Sequence, residues 1–431
     1  MTNRRQFLAS LAAAASAAGV AGAPKFSFAQ SIGGKTIIKV FMRGGADGLH
    51  LFPKFNDPAY YAYRPDIGIE PPSNDANSAL DLGVAARGMN PNLAPMMEIW
   101  DAGNMLVAPA TSFAGANRSH FDCQRWIGTG ARDNLLDGYL NRYMQSTAST
   151  NHPLRGLVAG KGSISTEMRG AIRVPAVSRT DRFNLANDDF CDGQGCADNQ
   201  LTAMMREISS HDVDVAAVES DIRDTQLVML DTIAEVQAAG VDYMPSAGGL
   251  DYSGSDLGRG LRMCAQLIKA GVPLEVAALD WNIGWDTHSN QISDNADRFV
   301  DPEKRYHRNM AAGATDFLTF FRDMGPLMAD VVVLAGSEFG RTKKQNGSTG
   351  TDHGQGGAWF AFGGPVQRGM AADVDTIDDS VVDNNWLPTV VSYRDIAGEI
   401  MVRHMGMSEQ LVSTVFPGHV FTDLRLMAAT S

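Results

Sequence analysis

Two segments of the chain combine aspartate with histidine in a way that suits a divalent cation. Asp286 and His288 are two positions apart, and in an extended loop alternate side chains point the same way. Asp352 and His353 are adjacent and are flanked by glycines. Carboxylate together with imidazole suits zinc, manganese or iron. A capped turn or a polar surface explains either pair alone, but two such pairs in strand-end loops favour joint metal binding.

Two more segments add carboxylates and an arginine. Asp47 follows Gly44 and Gly45, which allow a sharp turn and a close approach to a ligand; the structural alternative is an ordinary Asp-Gly turn. Glu338 and Arg341 follow the most clearly apolar segment of the sequence, and this pairing suits a metal and an anion. The alternative for the second segment is an ion pair that closes a loop.

Ser119 is the candidate nucleophile. Ser119 and Asp122 have the spacing of a capping box, so a helix is expected to begin here. The N-terminus of a helix attracts phosphate and sulfate, and a serine beside a metal can lose its proton and attack. His120 is the nearest imidazole in the sequence and the candidate general base. The structural alternative is that Ser119 only caps the helix.

These candidates need a scaffold that brings distant loops together, and the hydrophobic pattern predicts one. Short β-branched or apolar segments alternate with helical patterns, which indicates an α/β fold with a doubly wound, mostly parallel sheet. The predicted strands are 36–42, 104–109, 273–279, 330–335 and 358–363, and the predicted helices are 119–127, 256–270 and 304–324. Ligands of such sheets bind beyond the carboxyl ends of the strands, where the candidate residues fall.

Composition and charge narrow the class of protein. The 431 residues are 44% hydrophobic and 20% charged, which excludes a disordered chain. The net charge of −13 argues against binding to nucleic acid or anionic lipid. We expect one domain over residues 30–431, with a helical insertion over about 192–245. Cys191 and Cys196 form either a disulfide or two free thiols.

The first 29 residues resemble a twin-arginine export signal. Arg4 and Arg5 precede Phe7, Leu8 and an Ala-rich run that is too short for a good membrane span. An ordinary Sec signal or a retained anchor is the alternative. We therefore expect export by the twin-arginine machinery to the periplasm or the outside of the cell, cleavage after Ala29, and no stable membrane span in the mature chain.

Five segments, in this order, resemble the DUF1501 family within the alkaline phosphatase and sulfatase superfamily. They are RGGADGL at 43–49, RSHFD at 118–122, DTH at 286–288, SEFGRT at 337–342 and DHG at 352–354. The resemblance covers nearly the whole mature chain. It is specific for the family, which is named for an unknown function.

The resemblance implies an alkaline phosphatase-like fold and one or two divalent cations, such as zinc, manganese or calcium. One cation would be bound by Asp286, His288 and His353. Asp47 and Glu338 would help to bind a second, with Ser119 directed toward a small anionic ester substrate. Arg341 or Arg118 would hold the non-bridging oxygens of that ester.

One segment departs from the superfamily pattern. Phosphatases of this type usually have Asp-His after the central strand, where this chain has Glu338 and Phe339. His120 or Asp352 would have to supply the missing ligand. We predict an exported metal-dependent hydrolase of phosphate or sulfate esters. The alternative, favoured by Glu338-Phe339, is a non-catalytic periplasmic metal-binding or assembly protein that keeps the phosphatase-like fold.

Overall fold

Segments rich in valine, isoleucine and phenylalanine form a nine-stranded sheet at the centre of the structure, which is a computed structural model. The structure describes residues 34–147, 152–179, 217–240 and 243–428. The predicted export signal, both cysteines of the 191–196 loop and part of the predicted insertion lie outside the described residues. Within the insertion, the described segment Ala217–Gly240 is a helix.

All five predicted strands are confirmed, and shorter strands are added to them. The strands in chain order are β1 (Thr36–Phe41), β2 (Leu80–Asp81), β3 (Gly88–Met89), β4 (Met105–Ser112), β5 (Gly156–Ala159), β6 (Ala176–Val177), β7 (Val276–Asp280), β8 (Val331–Gly336), β9 (Gly357–Phe362), β10 (Gly369–Met370) and β11 (Val391–Ser392). β2 and β3 form a separate antiparallel pair, and the other nine strands make up the central sheet.

The central sheet is mostly parallel, as predicted. Its order is β10-β4-β9-β8-β1-β7-β5-β6, with β11 also paired to β4. β9 is antiparallel to both of its neighbours, whereas all other pairs are parallel. The chain is therefore a mixed α/β protein in which most strands end at the same edge of the sheet.

Two cores cover the two faces of the sheet because alternate residues of a strand point to opposite sides. In β1, Ile38 and Val40 belong to one core, while Ile37 and Phe41 belong to the other. Continuous burial of these strands is what a sheet covered on both faces requires. The fold is thus doubly wound, with helices on each side.

The three predicted helices are confirmed as α4, α7 and α8. The α-helices are α1 (Gly48–Leu51), α2 (Pro58–Tyr63), α3 (Met97–Asp101), α4 (His120–Thr129), α5 (Tyr139–Ser146), α6 (Ala217–Gly240), α7 (Asp256–Lys269), α8 (Arg305–Met324), α9 (Tyr393–Glu399) and α10 (Val412–Val415). In the described part of the chain, no helix combines the length and apolarity needed to cross a membrane.

The antiparallel direction of β9 has a simple cause. A parallel neighbour needs a crossover connection, usually a helix, but residues 337–356 connect β8 to β9 without one. The loop instead runs back along itself, with an antiparallel bridge between Arg341 and His353. As a result, the start and the end of this loop lie at the same edge of the sheet as the carboxyl ends of β1, β4 and β7.

Candidate metal centre

Loops from four strands meet at this edge. The segment after β7 alternates between buried apolar and exposed polar side chains, with Trp281, Ile283 and Trp285 buried. Asp286 and His288 are therefore both exposed on the same side of an extended loop. The predicted geometry of this loop is confirmed.

One carboxylate oxygen is at the centre of the cluster. Oδ1 of Asp286 lies 3.1 Å from Nε2 of His288, 3.2 Å from Nε2 of His353 and 3.6 Å from Nε2 of His120. The Nε2 atoms of His288 and His353 are 3.0 Å apart. The structure thus brings together four of the residues singled out in the sequence.

Each imidazole is oriented through its other nitrogen. Nδ1 of His120 lies 2.7 Å from Oε1 of Glu338, and Nδ1 of His288 lies 3.1 Å from Oδ1 of Asp352. Nδ1 of His353 donates to the main-chain carbonyl of Arg118 at 2.9 Å, because a carbonyl oxygen can only accept. Rings held in this way direct their Nε2 atoms toward one point, which is typical of metal-binding histidines.

The donor set fits a single cation. Two Nε2 lone pairs at 3.0 Å repel each other unless a proton or a cation lies in front of them. Ligand atoms of a tetrahedral zinc ion with bonds of about 2.0 Å lie about 3.3 Å apart, close to the spacings found here. Nε2 of His120 is buried and has no hydrogen-bond partner among the described residues, so it is also available as a ligand.

The N–H groups of Arg341 are directed at acceptors within the protein. Its buried guanidinium donates to the main-chain oxygens of Gly44 and Gly45, among others, and to Oδ1 of Asp286. Partial burial raises the pKa of Asp286, but the hydrogen bond and charge of Arg341 outweigh it and hold this pKa at about 2. Arg341 therefore positions the central carboxylate and has no free edge for the oxygens of a substrate.

Glu338 supports His120 from within the protein. Its side chain is fully buried and accepts hydrogen bonds from Gly44 N, Gln124 Nε2, Ser337 Oγ and His120. Burial opposes ionisation of Glu338, but the bonds from His120 and Gln124 outweigh it and hold its pKa below the usual value. The ring of His120 packs on Phe339, with 4.8 Å between centroids. Because four donors surround the Glu338 carboxylate, this structure gives it the role of orienting His120 rather than binding a cation.

Asp47 lies in a closed buried cluster of its own. It accepts two hydrogen bonds from Arg64, at 2.8 and 3.0 Å, and one from Gln291 at 2.9 Å, and it caps α1. No hydrogen bond or ion pair within the described chain joins Asp47 to Glu338, so the expected second cation site is not assembled. Among the described residues, the one close group of potential metal ligands is His120, Asp286 and His353, beside His288.

Ser119 is the N-cap of α4. Its Oγ accepts from the main-chain N–H of Asp122 at 3.4 Å, as the capping-box spacing predicts. No carboxylate or imidazole in the described part of the chain is hydrogen-bonded to this hydroxyl. His120 turns its two nitrogens to Glu338 and toward Asp286, away from the role of base for Ser119. Nucleophilic attack by Ser119 stays a prediction.

An open pocket of about 430 Å³ adjoins the cluster. Its walls are formed by Asn117, Arg118, His288, Asp352 and His353. Half of the Asp286 side chain, 46%, is exposed, as is 46% of His288. A small molecule can therefore reach His288 and His353 directly from solvent.

Several supporting residues carried no signal in the sequence. Gln124 on Glu338 and Arg64 on Asp47 are partners that only the fold brings near. The main-chain carbonyl of Arg118 is a partner of His353 because Arg118 has a left-handed φ of 66°. Backbone contacts of this kind leave no residue-type pattern to recognise.

Comparison with known proteins identifies the family. Residues 102–419 match the family model described as "Protein of unknown function (DUF1501)". This region contains every residue of the cluster, but it begins after Asp47. No curated protein matches the chain significantly. Since the matched region spans most of its length, the chain belongs to the DUF1501 family.

Proposed function

We propose that this protein is a metal-dependent hydrolase of phosphate or sulfate esters, with one cation bound by His120, Asp286, His288 and His353. The observation that carries the proposal is the convergence of three Nε2 atoms on one carboxylate oxygen. Donor sets rich in imidazole suit zinc, whereas manganese and calcium prefer oxygen ligands. Zinc is therefore the first candidate.

The side chains around the cation would divide the work. A bound divalent cation supplies Lewis-acid stabilisation of the negative charge that builds up on the ester oxygens. Glu338 and Asp352 fix two of the rings, and Arg341 keeps Asp286 ionised. The open pocket admits the ester to this side of the cluster.

Ser119 remains the proposed attacking group. It lies in the chain between Arg118 and His120, both of which contribute to the site. Its hydrogen bond from Asp122 N is long, at 3.4 Å, and such a weak bond is readily exchanged by rotation of the side chain. Because His120 is directed elsewhere, the serine proton would pass to solvent.

The second candidate function is metal binding without turnover. The capping role of Ser119 favours it, because no described acid or base is in contact with the hydroxyl. Under this alternative the cluster stores or transfers a cation, or stabilises an assembly.

Relationship and location complete the proposal. The five segments in order support a place in the alkaline phosphatase and sulfatase superfamily. Arg4, Arg5 and the following Ala-rich run support export by the twin-arginine route to the periplasm.

Metal content and ester hydrolysis test the proposal together. Full-length protein is expressed, purified from the periplasm and analysed for bound elements, then loaded with zinc, manganese or calcium and assayed with 4-nitrophenyl phosphate and 4-nitrophenyl sulfate. We expect His288→Ala to lower metal affinity by about tenfold or more, since loss of outer ligands already costs that much. We expect Ser119→Ala to retain metal and lose turnover.

His152→Ala is the matched control, because His152 also pairs with a carboxylate but lies outside the cluster. Metal bound without turnover of any ester would replace the hydrolase by the second candidate function. Unchanged metal content in His288→Ala would contradict the metal centre itself.

A further inference from the structure

Arg118 presents an unpaired cation to the pocket. It is exposed and lines the pocket with His288, Asp352 and His353. Its guanidinium carbon lies 4.2 Å from the centroid of the Trp386 ring, a stacking contact that leaves the N–H edge free. No carboxylate in the described ranges lies within ion-pairing distance of it. Arg118 therefore differs from Arg341, whose guanidinium is saturated.

The position of Arg118 is fixed from two directions. Its main-chain carbonyl accepts from His353, and its side chain rests on Trp386. The preceding Asn117 accepts from Ser119 N at 3.0 Å, which holds the turn before α4. The left-handed φ of 66° is costly for a residue with a Cβ, and these contacts maintain it. Arg118 is thus a rigid donor at the rim of the metal cluster.

The formal charges at the site set the charge of its ligand. The two arginines of the site and a divalent cation carry four positive charges, and the three carboxylates carry three negative ones. The site therefore has a net charge of +1. The arginines are Arg118 and Arg341, and the carboxylates are Asp286, Glu338 and Asp352. Neutral imidazoles bound to a cation add nothing to this count. A singly charged ligand neutralises the site, whereas a doubly charged one leaves an excess of negative charge beside Asp352.

The shape of the ligand follows from the donors around it. A guanidinium binds two oxygens with parallel N–H bonds, and the cation takes at least one more. A carboxylate and a phosphate diester each offer only two such oxygens, so one oxygen would have to accept from Arg118 and bind the cation at once. The sulfate group of a monoester offers three.

We propose that Arg118 and the cation together bind the sulfate group of a singly charged sulfate monoester. The inference rests on the proposed function and narrows its substrate class. Doubly charged phosphate monoesters are the poorer ligands of the site. Arg118 contributes to the site twice, because its guanidinium would bind the ester and its main-chain carbonyl orients the cation ligand His353.

Calorimetric binding to the zinc-loaded full-length protein tests this without relying on turnover. The probes are methyl sulfate, dimethyl phosphate, methyl phosphate and acetate, at about pH 8, where methyl phosphate carries two charges. We expect methyl sulfate to bind more tightly than the other three probes, since dimethyl phosphate and acetate lack a third free oxygen and methyl phosphate carries a second charge. Arg118→Met should weaken methyl sulfate binding by about tenfold or more, because a charge-assisted pair of bonds is lost. Arg118→Lys, which keeps the charge but not the fork, should fall between.

Arg125→Met on α4 is the control, because it removes the same charge from a guanidinium that is bonded to Asn134. Metal content should be equal in all variants, since the carbonyl of residue 118 is retained. Equal methyl sulfate affinity in wild type and Arg118→Met, or tighter binding of methyl phosphate, would overturn the inference and leave the metal centre standing. A protein that takes up no zinc would overturn both.

Discussion

Asp47 and Asp286 each lie in a loop that follows a strand, and each pairs with a fully buried arginine. Asp47 is itself buried, whereas Asp286 is open to solvent. Arg64 donates to both oxygens of Asp47, and Gln291 and the start of α1 use the remaining directions. Arg341 donates to only one carboxylate oxygen of Asp286, Oδ1, and nearly half of the Asp286 side chain is exposed.

The difference lies in how many N–H groups each arginine gives to its aspartate. Arg64 gives two to Asp47 and uses others for the main-chain oxygens of Thr342 and Lys343. Arg341 gives most of its donors to main-chain carbonyls and only one direction to Asp286. The same pair of residue types therefore stabilises the fold in one place and prepares a ligand in the other.

The largest effect should come from opening the closed pair. Asp47→Ala leaves Arg64 buried without a counter-charge and should cost about 3–5 kcal/mol of unfolding free energy. Asp286→Ala removes one charged hydrogen-bond partner of the buried Arg341, whose main-chain acceptors remain, and should cost less, about 1.5–3 kcal/mol in metal-free protein. Denaturant unfolding of both variants measures the difference. Equal losses would show that the two aspartates are not distinct in the way described.

A smaller effect should follow from loosening the support of the open cluster. Glu338→Gln weakens the bond that orients His120 and should lower zinc affinity by about ten- to a hundredfold. Asp47→Asn is the matched control, since it makes the same change in the closed cluster and should leave zinc affinity as it was. Competition with a chelator of known affinity measures both. An equal loss of zinc affinity in the two variants would show that Asp47 contributes to the metal site.

The smallest effect concerns the acid sensitivity of the closed region. Burial lowers the pKa of His50 from 6.5 to about 3; the charge of Asp47 opposes this, and those of His307 and Arg64 reinforce it. Below pH 6.5, His50 binds a proton in the unfolded chain but not in the folded protein. The free energy of unfolding therefore falls as the pH falls toward 3. At about pH 5.5 this one group should cost about 1.4 kcal/mol.

His50→Leu removes that proton uptake, so its unfolding free energy should depend less on pH than that of the wild type. His307, whose pKa burial lowers to about 4, acts in the same direction in both proteins and cancels in the comparison. Denaturant titrations at two pH values are sufficient. Identical pH slopes in the two proteins would mean that His50 is protonated in the folded state.

Much of the fold could be predicted from local patterns. The buried strands β1, β4, β7, β8 and β9 are mostly apolar segments, and α4 begins where Ser119 and Asp122 predict a cap. The antiparallel direction of β9 could be predicted only from the absence of a helical pattern between β8 and β9. Residue type and spacing alone do not give the order of strands in the sheet.

The site was predictable where its geometry is local. Asp286 and His288 share a side because their loop is extended, and period two is visible in the sequence. Asp47 was assigned to a metal because the sequence does not show that Arg64 folds back on it. Arg341 was assigned to substrate for the same reason: the carbonyls that occupy it belong to three different loops. Long-range hydrogen bonds decided both cases.

The wide separation of the cluster's residues along the chain has a thermodynamic consequence. Arg118 and His353, which must meet to orient one ring, are 235 residues apart. In the unfolded chain the four donors are scattered, so the proposed cation would meet all of them together only after the sheet has formed. By mass action, a cation at about a hundred times its dissociation constant adds about 2.7 kcal/mol to the free energy of unfolding. Under the proposed function, occupancy of the centre and stability of the fold would therefore be linked, and the cation would bind last.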